Sequence, residues 1–338
     1  YPGIIETPLE NMLVSTGFAV ITGNKDRIEN KYLYYYLTQQ NIVDMLHTIG
    51  EHSTSAYPSI KPGDIENINI LLPPLPEQIA IAATLSCLDD KIELNNHINK
   101  TLEEIAQAIF KSWFVDFEPF QDGEFEDSEL GRIPKGWRVE TIEEISKDII
   151  CGKTPSTKDK DNYGNSMPFI TIPDIHGNVY IVKTERYLSQ KGINTQTNKT
   201  LPKNAVLVSC IATPGLVALT SELSQTNQQI NSIICRNDIS CYYIFLYMKL
   251  YNDKIKNLGS GGSATLNLNK TQFSKIKLII PINQVTNEFH DLVEPLFKKM
   301  LENQKQTEKL SAIRDTLLPK LMSGEIRVPI EAVTNKQG

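Results

Sequence analysis

The stretch Ile68–Gln78, INILLPPLPEQ, decides the architecture. An apolar run of strand length meets Pro73, Pro74 and Pro76, and a helical pattern then continues from residue 79 to 113. Proline removes a backbone donor and fixes φ, so it ends the strand and is tolerated in the first turn of the helix. The design returns at Ile276-Lys-Leu-Ile-Ile-Pro281, followed by Gln284 as the first is by Gln78, and by a second long helical pattern. Further out, Pro2-Gly3-Ile4-Ile5 matches Pro214-Gly215-Leu216-Val217, and the aromatic run Lys31–Leu37 matches Cys241–Tyr247. Leu102 and Ile105 match Leu310 and Ile313. The offset stays at 206–212 residues, so one unit is used twice. The second copy opens near Ile133-Pro-Lys-Gly-Trp137. A whole first copy would begin about 75 residues ahead of Tyr1, and the first unit is expected to lack its front half.

At 338 residues the chain exceeds one comfortable core, which agrees with two globular units. Hydrophobic residues at 40% and charged residues at 22% exclude wholesale disorder. No apolar run approaches the roughly 20 residues that span a bilayer, and no basic-then-apolar leader opens the chain. Neither a membrane nor secretion is expected. Five cysteines without a CxxC pair argue against a disulfide framework or a zinc site, and fit a reducing cytoplasm.

The net charge of −6 is unevenly spread. Residues 1–78 carry −5, 79–130 carry −9, 131–283 carry +8, and 284–338 balance. A basic block inside an acidic chain marks a surface for a polyanion, nucleic acid being the common one.

Each copy divides into a mixed globular part and a helix. Ala205–Ile211, Ile230–Cys235 and Ile276–Ile282 read as buried strands. Ser240 is the expected N-cap of a helix through Lys256, and Asn30 plays that part before Lys31–Leu46. Gly259–Ser263 reads as a loop. The first long helix places Ile81, Leu85, Leu88, Ile92, Leu102, Ala106, Ile109 and Trp113 on steps of three and four, a heptad seam with Asn95 and Asn99 at its two remaining positions. The second carries Val285, Phe289, Leu292, Leu296, Leu310, Ile313 and Leu317, with Asn303 and Gln306 in its polar gap. Polar seam residues cost stability and fix register. Pro295 is expected to kink or restart the second helix. Asp116–Glu129, with seven acids and no bases, reads as an exposed, mobile linker.

Several chemistries are excluded. Gly152-Lys153-Thr154 lacks the upstream glycine of a phosphate loop, because that position is Lys147. Pro173-Asp174 is followed by no Asp/Glu-x-Lys of a nuclease, and Leu72-Pro73-Pro74-Leu75 fails at both ends as a DNA methyltransferase motif. The five histidines have no partners at metal-ligand spacing.

Taken together, Leu71–Gln78 and Lys111–Pro119 in the first copy, with Ile133–Trp137, Gly152–Pro155 and Arg314–Ile326 in the second, resemble the specificity subunit of type I restriction-modification systems. The resemblance spans most of the chain and departs at Ile282-Asn283-Gln284, where the first copy has Pro-Leu-Pro-Glu-Gln. It implies an α+β chain: two mixed target recognition domains in tandem, separated by two long helices that form an antiparallel coiled coil. The expected division is 1–76 for a partial first recognition domain, 77–115 for the first spacer helix and 116–132 for the acidic linker. The second recognition domain follows at 133–283, the second spacer helix at 284–323, and a tail at 324–338.

The function implied is non-catalytic reading of a bipartite site in double-stranded DNA. The helices would dock two modification subunits, and restriction subunits would join to make the cleaving complex. S-adenosylmethionine and ATP belong on those partners, so no cofactor and no metal is expected here. Lys153, Lys158 and Lys160, in a loop with Thr154, Ser156 and Thr157, suit phosphate anchoring. Gln228, Gln229 and Asn231 suit adenine edges, and Arg186 suits guanine. Ser53 and Tyr57 are the candidates in the first domain. Two rivals stand beside this reading. A DNA-reading fragment of a fused methyltransferase would need a catalytic motif that is not present, and a coiled-coil protein scaffold leaves the +8 block unexplained.

One prediction comes from the helices alone. Residues 79–113 number 35, about 50 Å of helix at roughly 1.5 Å per residue, or about 15 base pairs. Inserting four residues beside Asn95 adds about 6 Å, one turn, as a stutter in an already polar seam. Methylation-site mapping of the reassembled enzyme should show the spacer between half-sites longer by about one or two base pairs, with both half-site sequences unchanged. Altered half-sites with an unaltered spacer would show that the helices are not the ruler.

Overall fold

The computed structural model describes residues 2–5, 9–15, 17–52, 59–252 and 268–329. The chain divides into two compact units, Tyr1–Glu93 with Lys309–Gly338, and Leu94–Glu308. Both long helices, Leu75–Phe114 and Asn283–Met322, pass from one unit into the other, so each unit owns a stretch of both. The domain boundary therefore falls inside the helices rather than at their ends.

In the first unit, helices Asn30–Thr38 and Gln40–Glu51 precede a short one at Pro62–Glu66. The single helix expected over Lys31–Leu46 is broken at Gln39, whose ψ of 137° is extended. Asn30 is not its cap. The Glu29 carboxylate accepts from the Tyr32 amide at 2.8 Å, while the Asn30 side chain accepts from the Gly23 amide. Tyr32, Tyr35, Ile81, Leu85, Leu318 and Leu321 form the core. Gln78 lies buried beneath it, donating to the Arg27 and Pro73 carbonyls at 3.0 and 2.8 Å and accepting from the Glu29 amide at 3.0 Å. That one side chain ties the proline turn to the start of the preceding helix. Among the described residues the side chain of its repeat partner Gln284 bonds only to Glu288 one turn on, so the shared glutamine does different work in the two copies. Asp89 receives Arg314 at 2.8 Å and the Tyr35 hydroxyl at 2.7 Å, joining both long helices to helix Asn30–Thr38.

The second unit is the mixed α/β body. Its main sheet has five strands in the order β4 (Ser146–Cys151), β11 (Ile230–Cys235), β8 (Val206–Ser209), β9 (Val217–Thr220), β6 (Tyr180–Ile181). A second sheet has the order β10 (Gln225–Thr226), β5 (Tyr163–Ile170), β7 (Arg186–Leu188). Two pairs complete it, β1 (Phe125–Ser128) with β2 (Gly131–Pro134), and β3 (Arg138–Thr141) with β12 (Lys277–Ile280). The central strands β8 and β9 are buried along their whole length and nearly continuously apolar because both faces are covered. Ile149, Val206, Val208, Val217, Leu219 and Ile233 pack toward the helices; Ile150, Leu207, Ala218 and Ile230 pack on the opposite face.

Helix Cys241–Leu250 is apolar all round, with every residue from Tyr242 to Met248 buried, as a helix between a sheet and other helices must be. The Ser240 hydroxyl makes no cap bond; it faces His290 Nδ1 at 2.9 Å.

In this unit the long helices run antiparallel. Asn95 reaches Gln306 Oε1 at 3.0 Å and Thr307, while Asn99 reaches the Met300 carbonyl and Asn303. The expected α+β class, tandem organisation and paired helices hold, and most of the expected seam is covered: Ile81, Leu85, Ala106, Val285 and Phe289 are buried, and of its apolar positions only Leu292 and Ile313 are exposed. Phe110, Phe114, Val293, Phe297 and Met300 are buried as well, outside the expected seam. The helices bury a face against the sheet layer as well as against each other, and that wider stripe extends beyond a strict heptad. The second helix runs unbroken through Pro295, with no fresh start there.

The acidic segment is structured, not a mobile linker. After a turn at Glu118–Phe120 it supplies the first strand of the β1–β2 hairpin, because Phe117 and Phe120 meet Trp137 edge-on at 5.6 and 5.1 Å and Phe125 meets Phe117 edge-on at 5.9 Å. Three aromatic anchors among the acids outweigh the charge pattern.

Phe289 is fully buried, with ring centroids of Phe114 at 4.8 Å, Trp113 at 6.0 Å and Phe110 at 6.1 Å. Replacing it with Ala should destabilise this unit by about 3–5 kcal/mol. Urea unfolding followed by Trp fluorescence measures it, since both tryptophans, Trp113 and Trp137, lie in or beside the cluster. A loss below about 1 kcal/mol would mean that the cluster is not packed as described.

Candidate nucleic-acid interface

Strand register gathers three loops at one end of the main sheet. Cys151 pairs with Asn231, Asn231 with Val208, and Val208 with Val217. The segment after β4, the turn before β11 and the β8–β9 loop therefore emerge side by side.

The first two are locked together. Lys153 donates its amide to the Thr226 carbonyl at 3.0 Å, Gly152 to the Ile230 carbonyl at 3.2 Å, and the Thr154 hydroxyl to Gln228 Oε1 at 2.6 Å. Gly152 permits this approach. A Cβ there would meet the Asn227 carbonyl oxygen at 2.1 Å and Thr226 Oγ1 at 2.3 Å, well inside contact distance. Farther along, Tyr163 donates to the Pro155 carbonyl and Asn162 to that of Ser156, so the loop is held from below.

Lys153, Lys158 and Lys160 are exposed and form no ion pair among the described residues. The loop's two acids are otherwise engaged: Lys191 reaches Asp159 at 2.8 Å and Asp161 at 3.4 Å. Its ammonium holds the Asp159 carboxyl below the usual range, and the two carboxylates raise Lys191 in return. Three lysine charges are left facing solvent, a distribution made for phosphates. Ser156 and Thr157 are exposed beside them, and Thr154 is half-buried through its bond to Gln228.

Gln228 is exposed and Gln229 half-buried, the latter fixed by Asn227 at 2.9 Å. Asn231 must be withdrawn as a base contact. It is buried, and its amide donates to Cys210 Sγ at 3.3 Å. Strand alternation turns it into the sheet, where burial pushes the Cys210 thiol up to about 12 and keeps it neutral. Arg186 is exposed on β7, two strands from β10 through the Phe169 pairings, about 10 Å at typical strand spacing. Ser53 and Tyr57 lie outside the described residues, as does Gly259–Ser263.

Residue type alone does not mark the β8–β9 loop. Ser209 donates to the Thr213 carbonyl and accepts from the Leu216 amide, pushing Ala212 and Thr213 into solvent. Ala212 has φ +65°, rare for a residue with a Cβ and characteristic of functional loops. The only signal in the sequence is the Pro214-Gly215 pair beside it.

The register residues come together away from this end of the sheet. Asn95 is fully buried and bonded to Gln306, and Asn303 donates to Asn99 Oδ1 at 2.9 Å. Among the described residues no cluster of three or more His, Cys, Asp or Glu is placed to hold a metal, and no helix is long and apolar enough to cross a membrane.

A family described as type I restriction modification DNA specificity domain matches residues 7–104 and 134–311. The type I restriction enzyme HindI specificity subunit of Haemophilus influenzae is 36% identical over 95% of this chain and 83% of its own length. The MjaIX specificity subunit of Methanocaldococcus jannaschii is 31% identical over 97% of this chain and 75% of its own. The fold is shared with the type I restriction-modification S subunit from M. genitalium, at a TM-score of 0.56 and 17% identity over 88% of this chain and 74% of that one. The two matched regions follow the internal repeat, and the chain belongs to the DNA specificity subunits of type I restriction-modification systems.

Proposed function

We propose that the second unit reads one half of a bipartite target in double-stranded DNA through the loop end of its main sheet. The observation that carries this is the pairing of unlike groups on one edge: three uncompensated lysines locked by Thr154–Gln228 to an exposed glutamine amide. Phosphate contacts set register and orientation, and amides on a rigid edge supply base discrimination. Lys153, Ser156, Lys158 and Lys160 take the phosphates. Gln228, Gln229 and Arg186 take the base edges, and Ala212 offers its methyl to a thymine. The first recognition domain reads the other half-site.

The long helices, with Asn95, Asn99, Asn303 and Gln306 fixing their register, dock two modification subunits, and restriction subunits complete the assembly. S-adenosylmethionine and ATP chemistry belongs to those partners, and this chain binds neither. It is the reading subunit of the family to which its relatives' names assign it.

Replacing Lys153, Lys158 and Lys160 together with Ala should lower the slope of log affinity against log salt by about 0.9 for each phosphate no longer neutralised. Base preference should persist, because phosphates carry no sequence information. Fluorescence anisotropy on duplexes at several salt concentrations reads both, and an unchanged slope would move the footprint elsewhere on the unit. Gly152→Ala tests the other half of the reading. It forces Lys153–Pro155 away from Thr226–Gln228, so discrimination between preferred and scrambled duplexes should fall by about tenfold or more, with the salt slope little changed. Full discrimination in that variant would show that the locked edge is not the reader.

A further inference from the structure

The main sheet that carries the reading loops ends at β6, an edge strand of two residues. One side of β6 pairs with β9, through Tyr180 beside Leu219 and the Leu219 amide donating to the Val179 carbonyl at 2.8 Å. In an extended strand the N–H and C=O of one residue point to the same edge. Those of Tyr180 point away from β9, where a further strand would lie. No strand is there. Gln304 of the second long helix occupies the place: its Oε1 accepts from the Tyr180 amide at 3.1 Å, and its Nε2 donates to the Tyr180 carbonyl at 3.2 Å and to Asn178 Oδ1 at 3.3 Å. A primary carboxamide offers a donor and an acceptor side by side, the same pair a neighbouring strand residue offers.

We propose that Gln304 is a positioning residue: its carboxamide replaces the missing neighbour strand of β6 and fixes how the reading sheet is carried on its spacer helix. The inference rests on the DNA-reading role proposed above. Among the described residues it is the one place where a long-helix side chain bonds to the backbone of the main sheet. The rest of that interface is apolar, as with Phe297 against Tyr180 at 6.5 Å, or joins side chain to side chain, as with Lys183 and Glu308 at 3.2 Å. Apolar burial is non-directional and tolerates sliding; a two-point bond to backbone does not. Phe297, Gln304 and Glu308 lie two turns and one turn apart on one helix face, so the clamp is part of a continuous stripe.

The test uses the full chain and two variants. Gln304→Met keeps the stem and helix propensity and removes both bonds; Gln304→Glu keeps the acceptor for the Tyr180 amide and sets a carboxylate against its carbonyl. Hydrogen exchange at Tyr180 is measured alongside a selection from a randomised duplex pool and anisotropy on the selected duplex. In Gln304→Met, exchange at Tyr180 should quicken at least tenfold while amides in β8 and β11 keep their protection. Discrimination against scrambled duplex should fall about tenfold, the cost of roughly one mismatched pair, with the salt slope unchanged. Gln304→Glu should give intermediate exchange and the same loss of discrimination. Unchanged exchange in both variants overturns the clamp. Quickened exchange with undiminished discrimination overturns its positioning role. If the unaltered chain selects no sequence from the pool, the DNA-reading role itself fails, and the positioning role with it, whatever the exchange shows.

Discussion

The packing of Phe110, Phe114 and Phe289 against Tyr243 is the contact on which the second unit depends. These rings come from three helices, and Phe114 lies 4.8 Å from both Phe289 and Tyr243. The helix bearing Tyr243 has no polar face, so it is stable only where every side is covered. The main sheet covers one side and the two long helices the other. Remove the rings and the helix loses its cover, the sheet its inner layer, and the long helices their means of joining the recognition domain. Trp137 extends the cluster outward at 5.8 Å from Phe114 and draws Phe117 and Phe120 onto it, which is why a segment dense in carboxylates is structured.

Against that apolar interior stand two groups of buried amides, with opposite tasks. Buried Asn95 and Asn303 and half-buried Asn99 sit between the helices, where a one-turn slip would break the bonds that the three amides make. The penalty for an unsatisfied polar group, about 1–3 kcal/mol, makes the register more specific than leucines would. The other group runs through β10 and β11: Gln225, Thr226, Asn227 and Asn231 are all buried, and Gln225 alone bonds to Ile193, Gln196 and Thr200. This network holds the exposed Gln228 and the lysine loop on a stiff support. A reading edge has to be stiff, because side chains left free to reorganise lose the geometric selectivity that base recognition requires.

The two copies of the repeat show how far a shared pattern constrains detail. Gln78 satisfies three backbone groups beneath the proline turn, whereas Gln284 makes one bond along its own helix. The Pro74 carbonyl takes the first amides of the helix and the Pro73 carbonyl takes the Gln78 side chain; Pro281 stands alone, and helix Asn283–Met322 starts almost at once. A like residue at a like offset keeps its fold position without keeping its bonds.

Although the strand expected at Ile68–Pro73 is not formed and the described part of the first unit is helical, repetition, long helices with a polar middle, and a basic block over residues 131–283 were legible in the residues. Each follows from spacing or charge, which survive without coordinates. The lysine loop and Gln228 were legible for the same reason. Asn231 was not: it differs from Gln228 only in pointing inward, and strand alternation depends on where β11 begins. Nor did the pattern distinguish Leu292 and Ile313, which are exposed, from Phe110 and Phe114, which are buried. A heptad count places residues on a helix, but which stripe is covered depends on what else packs there. Ala212 and Gln304 carry no signature of their own, since one is marked by a backbone angle and the other by an open strand edge. Local periodicity and charge were determined by the sequence itself; facing, strain and the partners of each amide were decided only when distant segments met, because those properties belong to pairs of surfaces and not to any one stretch of chain.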